Sequence, residues 1–171
     1  MIWGKTHYLD ASALVKLVAD DPDEEPGREA LRKYYSENRD SVYATSYCVT
    51  ETLSAFKIKF LKHRITEDQY IKYVLEFRRL YIGVNLRVED VPILSQVVTT
   101  EAERLIKKHK IDFLDCFQII TMMRGRFAML GPNSQSILIT ADRDLAMAAR
   151  AEGAKVWECT TEAAPTQYSE V

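Results

Sequence analysis

Four carboxylates interrupt apolar segments of this chain, and they constrain its fold more than any other feature. Asp10 ends the strand-like Tyr8-Leu9 and precedes Ala13-Leu14-Val15, and Asp142 follows the run Ile137-Leu138-Ile139-Thr140-Ala141. Glu51 lies on a helix flank with Cys48, Ala55 and Ile58, and Asp115 breaks Ile111-x-Phe113-Leu114-x-Cys116-Phe117. An isolated buried carboxylate is costly, so such groups are paired, hydrogen-bonded or bound to a metal. Four acids on four separate elements therefore imply a fold that gathers them.

The spacing predicts alternating strands and helices. Residues 5–10 read as a strand and 12–19 as a short helix with Ser12 as N-cap. The acidic stretch Asp20–Glu25 reads as a solvated loop, followed by a helix to about Asn38. Ser41–Thr45 is a short strand, and a helix runs from about Ser46 to His63. Thr66-Glu67-Asp68-Gln69 is a capping box that opens a further helix to about Ile82. Asn85–Asp90 reads as a strand, and Pro92 suits the first turn of a helix ending in Lys107-Lys108-His109-Lys110. Asp112 caps a helix ending near Gly125, and Arg126–Gln135 is a loop. Ser136–Thr140 has the unbroken apolar character of a strand buried on both faces of a parallel sheet. Residues 143–151 are helical, Gly153 fits the C′ position, and Lys155–Glu158 is the last strand. This pattern predicts a three-layer α/β/α sandwich on a parallel sheet. One domain is expected over residues 1–159, with 160–171 as a fraying tail.

Composition narrows the class. A chain of 171 residues that is 47% hydrophobic has enough material for a core. A net charge of −2 gives no general attraction for nucleic acid, so RNA binding would need local basic patches. The three cysteines sit in apolar stretches without a CxxC spacing, as reduced core residues of a cytoplasmic protein do. No apolar run approaches the ~20 residues of a membrane span. The three histidines are scattered, which argues against zinc.

Asp10 and Asp142 are placed at the carboxyl ends of parallel strands, where ligands gather. Carboxylates alone suit Mg²⁺ or Mn²⁺, and two such ions about 3.5–4 Å apart can activate water and stabilise a phosphodiester's leaving oxygen. Each acid also has a plainer role. Asp10 and Asp142 can be helix caps, Glu51 a surface residue and Asp115 a first-turn acid. Asp112 reads as a cap, and Asp144 as either a fifth acid or a first-turn one.

The four fragments Tyr8-Leu9-Asp10-Ala11-Ser12-Ala13-Leu14-Val15-Lys16, Thr50-Glu51-Thr52-Leu53-Ser54-Ala55, Phe113-Leu114-Asp115-Cys116-Phe117-Gln118-Ile119-Ile120 and Leu138-Ile139-Thr140-Ala141-Asp142-Arg143-Asp144-Leu145 occur in order from Tyr8 onward. Together they resemble the PIN-domain family, and within it the VapC-like toxins of toxin–antitoxin pairs. The resemblance implies a PIN-like parallel sheet of four to five strands and a Mg²⁺- or Mn²⁺-dependent ribonuclease. On it Asp10, Glu51, Asp115 and Asp142 would be catalytic and metal-holding, with Asp144 auxiliary and Ser12 and Thr140 as supporting hydroxyls. It also implies an RNA substrate, a small antitoxin partner and a homodimer. Two departures stand out, the longer Arg126–Gln135 loop and Cys116 in place of a small alanine.

Cations beside such a site would meet RNA phosphate. Arg124 and Arg143 are the candidates nearest the acids in sequence, with Lys57–Arg64 and Lys107–Lys110 as helix-end clusters. The aromatics Tyr70, Tyr73 and Phe77 are expected to pack against Phe56 and Phe60, and any exposed part would suit the antitoxin. Competing readings are a PIN nuclease of RNA maturation or DNA processing and a silent PIN-fold interaction module. A phosphotransfer receiver or phosphatase falls behind, because position 12 is Ser rather than a second acid.

Overall fold

The computed structural model describes residues 6–82, 86–125 and 135–165. Lys5, Asn85, most of the Arg126–Gln135 loop and the tail beyond Pro165 lie outside the described residues. The strands are β1 (His7–Leu9), β2 (Val42–Ala44), β3 (Arg87–Val88), β4 (Ile137–Thr140) and β5 (Lys155–Glu158), all parallel, in the order β3-β2-β1-β4-β5. The helices are α1 (Ala11–Val18), α2 (Arg28–Glu37), α3 (Ser46–Leu61), α4 (Glu67–Ile82), α5 (Gln96–His109), α6 (Phe113–Arg124) and α7 (Arg143–Ala151).

Strand alternation divides the core into two. Tyr8 stands level with Tyr43 and Leu138, and all three face the layer of α5, α6 and α7. Leu9, Val42, Ala44, Ile139 and Trp157 face the other way, against α1 to α4. Both faces being covered explains the unbroken apolar run of β4. The predicted three-layer α/β/α sandwich is what the chain forms, with five strands.

Several local expectations are met by visible contacts. The capping box at α4 closes on both sides, with the Thr66 amide donating to Gln69 Oε1 (2.9 Å) and the Gln69 amide to Thr66 Oγ1 (3.2 Å). Gly153 has φ +89° just past α7. Phe56 packs on Tyr73 and Phe77, and Phe60 stacks on Tyr70, as a helical hairpin requires. Tyr73 and Phe77 are fully buried, while Tyr70 and Phe60 are half-buried. The exposed apolar side chains of this hairpin are Ile58, Leu61, Ile71 and Leu75 instead.

Other expectations are corrected. Ser12 does not cap α1: Asp10 does, accepting from the Ala13 amide at 2.8 Å, because the strand's last extended residue already occupies the N-cap position. Pro92 is not in α5. Its carbonyl accepts from the Ser95 amide in a turn, and the helix begins at Gln96. The start of the tail is tied down rather than frayed. Glu158 accepts from the Thr160 and Thr161 amides, Trp157 Nε1 donates to the Glu162 carbonyl, and Arg150 pairs with Glu162.

The Asp20–Glu25 segment is not a freely solvated loop. Asp21 is 3% exposed and pairs with Lys59 (2.8 Å), which also meets Glu24 (2.9 Å) and Asp23. Lys16 pairs with Glu24, and Arg64 with Asp23. The segment straps α1 to the end of α3 and consumes two cations that a sequence reading offers to RNA. Removing one partner strands the others in low dielectric. Lys59→Met is therefore expected to cost about 3 kcal/mol, read as a lowered urea midpoint with unchanged slope. Gly27 (φ +73°) abuts the strap, and a Cβ there would overlap the Cys159 carbonyl, so no other residue fits.

Candidate active site

The sheet order reverses between β1 and β4, and this switch point is where a crevice opens beyond the strand ends. Asp10 leaves β1 there and Asp142 leaves β4. α3 and α6 bring their early turns to the same edge. The result is a cavity of about 180 Å³ whose lining includes Asp10, Glu51, Asp112, Asp115 and Asp142. None of the described residues lining it is Lys, Arg or His.

Each acid is held by the element that presents it. Asp10 is 6% exposed and accepts from Ser12 Oγ (2.9 and 3.0 Å) and Thr140 Oγ1 (2.7 Å) besides the Ala13 amide. Ser12 Oγ in turn accepts from the Ala141 amide (2.8 Å), and Thr140 Oγ1 from the Asp142 amide (2.8 Å). The two hydroxyls thus lock the ends of β1 and β4 together around Asp10. Asp142 caps α7, accepting at Oδ1 from the amides of Asp144 (2.7 Å) and Leu145 (3.0 Å). Asp142 itself is one of the residues lining the cavity. Thr140→Val keeps the shape but strips Asp10 and the Asp142 amide of a partner. It is expected to cost about 1–3 kcal/mol, measured by denaturant unfolding.

The electrostatics are those of crowded acids without counter-charge. Burial pushes Asp10 up to about 6, against hydrogen bonds from Ala13, Thr140 and Ser12 that pull it down. Burial, then the charges of Asp112 and Asp10, push Glu51 up to about 7. Asp115 also rises to about 7, through burial and then Asp112, Asp142, Asp10 and Glu51. Among the described residues, no three His, Cys, Asp or Glu side chains are drawn together into a closed ligand set. The donor set, all hard carboxylate oxygen with no cation of its own, fits Mg²⁺ or Mn²⁺.

The other candidates divide. Asp144 is exposed and absent from the cavity lining; it offers only its amide to Asp142. Asp112, read as a cap, does cap α6 through the Asp115 amide (3.0 Å) but also lines the cavity and raises both Glu51 and Asp115. Arg124 ends α6, nine residues beyond Asp115 and so about 13 Å along the helix, and it pairs with Glu101. It is withdrawn from the site. Arg143 opens α7 directly after Asp142 and is exposed. Lys108 and His109 are bound to Glu152. Gln118 was missed. It is 2% exposed, lines the cavity and contacts α3 through Cys48 and Thr45. Its signal was a lone amide inside the apolar Phe117-x-Ile119-Ile120, one turn after Asp115.

No helix among the described residues is long and apolar enough to cross a membrane. The family model for the PIN domain matches residues 7–151. No curated protein matches. The solved crystal structure of PAE2754 from Pyrobaculum aerophilum is similar, with a TM-score of 0.53, 18% identity and 88% of each chain covered. At that identity the likeness speaks to the fold. With the family model spanning all four acids and all but the last strand of the sheet, this chain belongs to the PIN-domain family, whose members are typically metal-dependent nucleases.

Proposed function

We propose that this chain is a Mg²⁺- or Mn²⁺-dependent endoribonuclease and the toxin of a VapBC-type pair. One observation carries the reading: Asp10, Glu51, Asp115 and Asp142 ring one cavity at the sheet's switch point with no cation among its described lining residues. These four would hold the ion. A bound divalent ion supplies Lewis acidity and lowers the pKa of water, giving a nucleophile for a phosphodiester at neutral pH. The chain's own contributions are positional. Ser12 and Thr140 keep Asp10 pinned and ionised, the α7 amides hold one oxygen of Asp142, and Asp112 raises the negative potential that draws a cation in. Arg143, exposed and next to Asp142 at the start of α7, would be the cation that meets RNA phosphate.

The choice of RNA, of a small antitoxin partner, of a homodimer and of the cytoplasm rests on the motif resemblance of residues 8–16, 50–55, 113–120 and 138–145. The test is direct. Purified protein is incubated with matched RNA and DNA oligonucleotides, with Mg²⁺ or with chelator, and the chain is expressed with and without the small gene adjoining its own. RNA cleavage that stops with chelator, and growth arrest relieved by the neighbour, are expected. Cleavage of DNA in preference to RNA, without arrest, would move the protein to nucleic-acid processing.

A further inference from the structure

The cavity holds one polar group that the acids do not use. Gln118 Oε1 accepts from Cys48 Sγ at 2.6 Å and from Thr45 Oγ1 at 3.3 Å, both at the start of α3. Its Nε2 is buried and has no partner among the described residues. The Cys48 thiol stays protonated, with burial pushing it up to about 12, so it donates to the carboxamide oxygen. These two donors hold the carboxamide oxygen on the α3 side and turn the buried nitrogen away from it, and Gln118 is one of the residues lining the cavity. A buried N–H pair left without an acceptor costs free energy comparable to a lost hydrogen bond.

The lining explains what is missing. A phosphodiester entering among Asp10, Glu51, Asp112, Asp115 and Asp142 meets like charge on every side. Neutral N–H donors favour the anion without competing for the carboxylates' cation. Ser12 Oγ is committed to Asp10 and Cys48 Sγ to Gln118. The Gln118 amide is the uncommitted side-chain donor of this lining. The geometry points to Gln118 as a substrate-binding residue whose Nε2 donates to a non-bridging oxygen of the phosphodiester, with Cys48 and Thr45 as the groups that aim it. The inference rests on the nuclease reading above and adds to it the residue that admits the anion.

Three variants and two readouts test it. Gln118→Leu is expected to raise KM for an unstructured oligoribonucleotide by at least roughly tenfold with a smaller change in kcat, the signature of a lost contact made equally to bound substrate and transition state. Cys48→Ser keeps a donor to Oε1 and should stay near wild type. Cys48→Ala removes the shorter of the two contacts to Oε1, leaves only the 3.3 Å one from Thr45 to hold the carboxamide, and should raise KM. Packing alone ranks these two oppositely, because a site 3% exposed tolerates alanine better than serine. The second readout does not need turnover. In the ¹⁵N spectrum the Gln118 side-chain amide pair, identified by its absence from Gln118→Leu, shifts when inorganic phosphate is added with Mg²⁺. Wild type that binds Mn²⁺ and cuts RNA, with KM unchanged in Gln118→Leu and no amide shift, overturns this inference alone. A shift complete with Mg²⁺ before phosphate is added assigns the donor to water and overturns it too. Wild type that neither takes up Mn²⁺ nor cuts RNA overturns both the inference and the function beneath it.

Discussion

Replacing Asp10 or Asp115 by asparagine lowers metal-dependent RNA cleavage by at least about 10³-fold, about 4 kcal/mol of barrier, while far-ultraviolet circular dichroism stays that of the wild type. The two variants differ in stability, and that difference is diagnostic. Asp115 gains nothing from its charge in the metal-free fold, where burial and four neighbouring acids oppose ionisation. Asp115→Asn therefore melts at or above the wild-type temperature near neutral pH. Asp10 accepts three sets of hydrogen bonds, from Ala13, Ser12 and Thr140. An asparagine nitrogen at Oδ2 would face the Thr140 donor, so Asp10→Asn loses about 1–2 kcal/mol. At Asp115, loss of activity joined to retained or raised stability is what a purely ligand carboxylate yields, whereas Asp10 combines the ligand role with a structural one.

The metal-free protein is expected to lose stability as pH rises from about 5 to about 7, the reverse of ordinary acid denaturation. The direction follows from proton counting. Asp10, Glu51 and Asp115 have folded values of about 6, 7 and 7 against ordinary values of 3.8, 4.5 and 3.8. Between those limits these three groups bind more protons in the folded chain than in the unfolded one, so their contribution to the unfolding free energy falls with pH, and Glu152, Glu101, Asp20 and Glu158, held low by their partners, oppose it only below about 5. Below about 4 the three groups cost nothing, and above about 7 their full repulsion is felt. Mn²⁺ supplies the missing counter-charge. At a hundred times its dissociation constant it stabilises by about 2.7 kcal/mol, and it should do so above pH 7 while having little effect near pH 5, where protons compete for the same oxygens. Melting curves from pH 4 to 8, with chelator and with Mn²⁺, measure both halves. A metal-free Tm that rises from about pH 5 to about 7 would contradict the account.

The architecture was legible because two of the buried strands, β1 and β4, are each punctuated by an acid. β4 reads as apolar on both faces, and Asp10 and Asp142 mark where β1 and β4 stop. The helices were legible for the same reason in a different period, and the α4 capping box carries its own reciprocal chemistry. What escaped depends on direction rather than on pattern. Asp10 and Ser12 are two residues apart and both are good caps, so only the extended φ and ψ at Asp10 decide between them. Arg124 shares a helix with Asp115, yet the helix runs away from the site and delivers it to Glu101. Asp21 looks like any other acid of a polar loop until the end of α3 brings Lys59 to it. Gln118 sits one helical turn from Asp115, a spacing as common for core as for function, and only its unpartnered nitrogen separates the two.

The central claim is that four carboxylates from α1, α3, α6 and α7 termini and flanks form one divalent-cation site. Anomalous diffraction from crystals soaked in Mn²⁺ tests it most directly. The account predicts an anomalous peak in the cavity ligated by Asp10, Asp115 and at least one of Glu51 and Asp142, and its disappearance in Asp115→Asn. Manganese bound elsewhere on the chain, with this cavity empty at saturating Mn²⁺ and neutral pH, would contradict it.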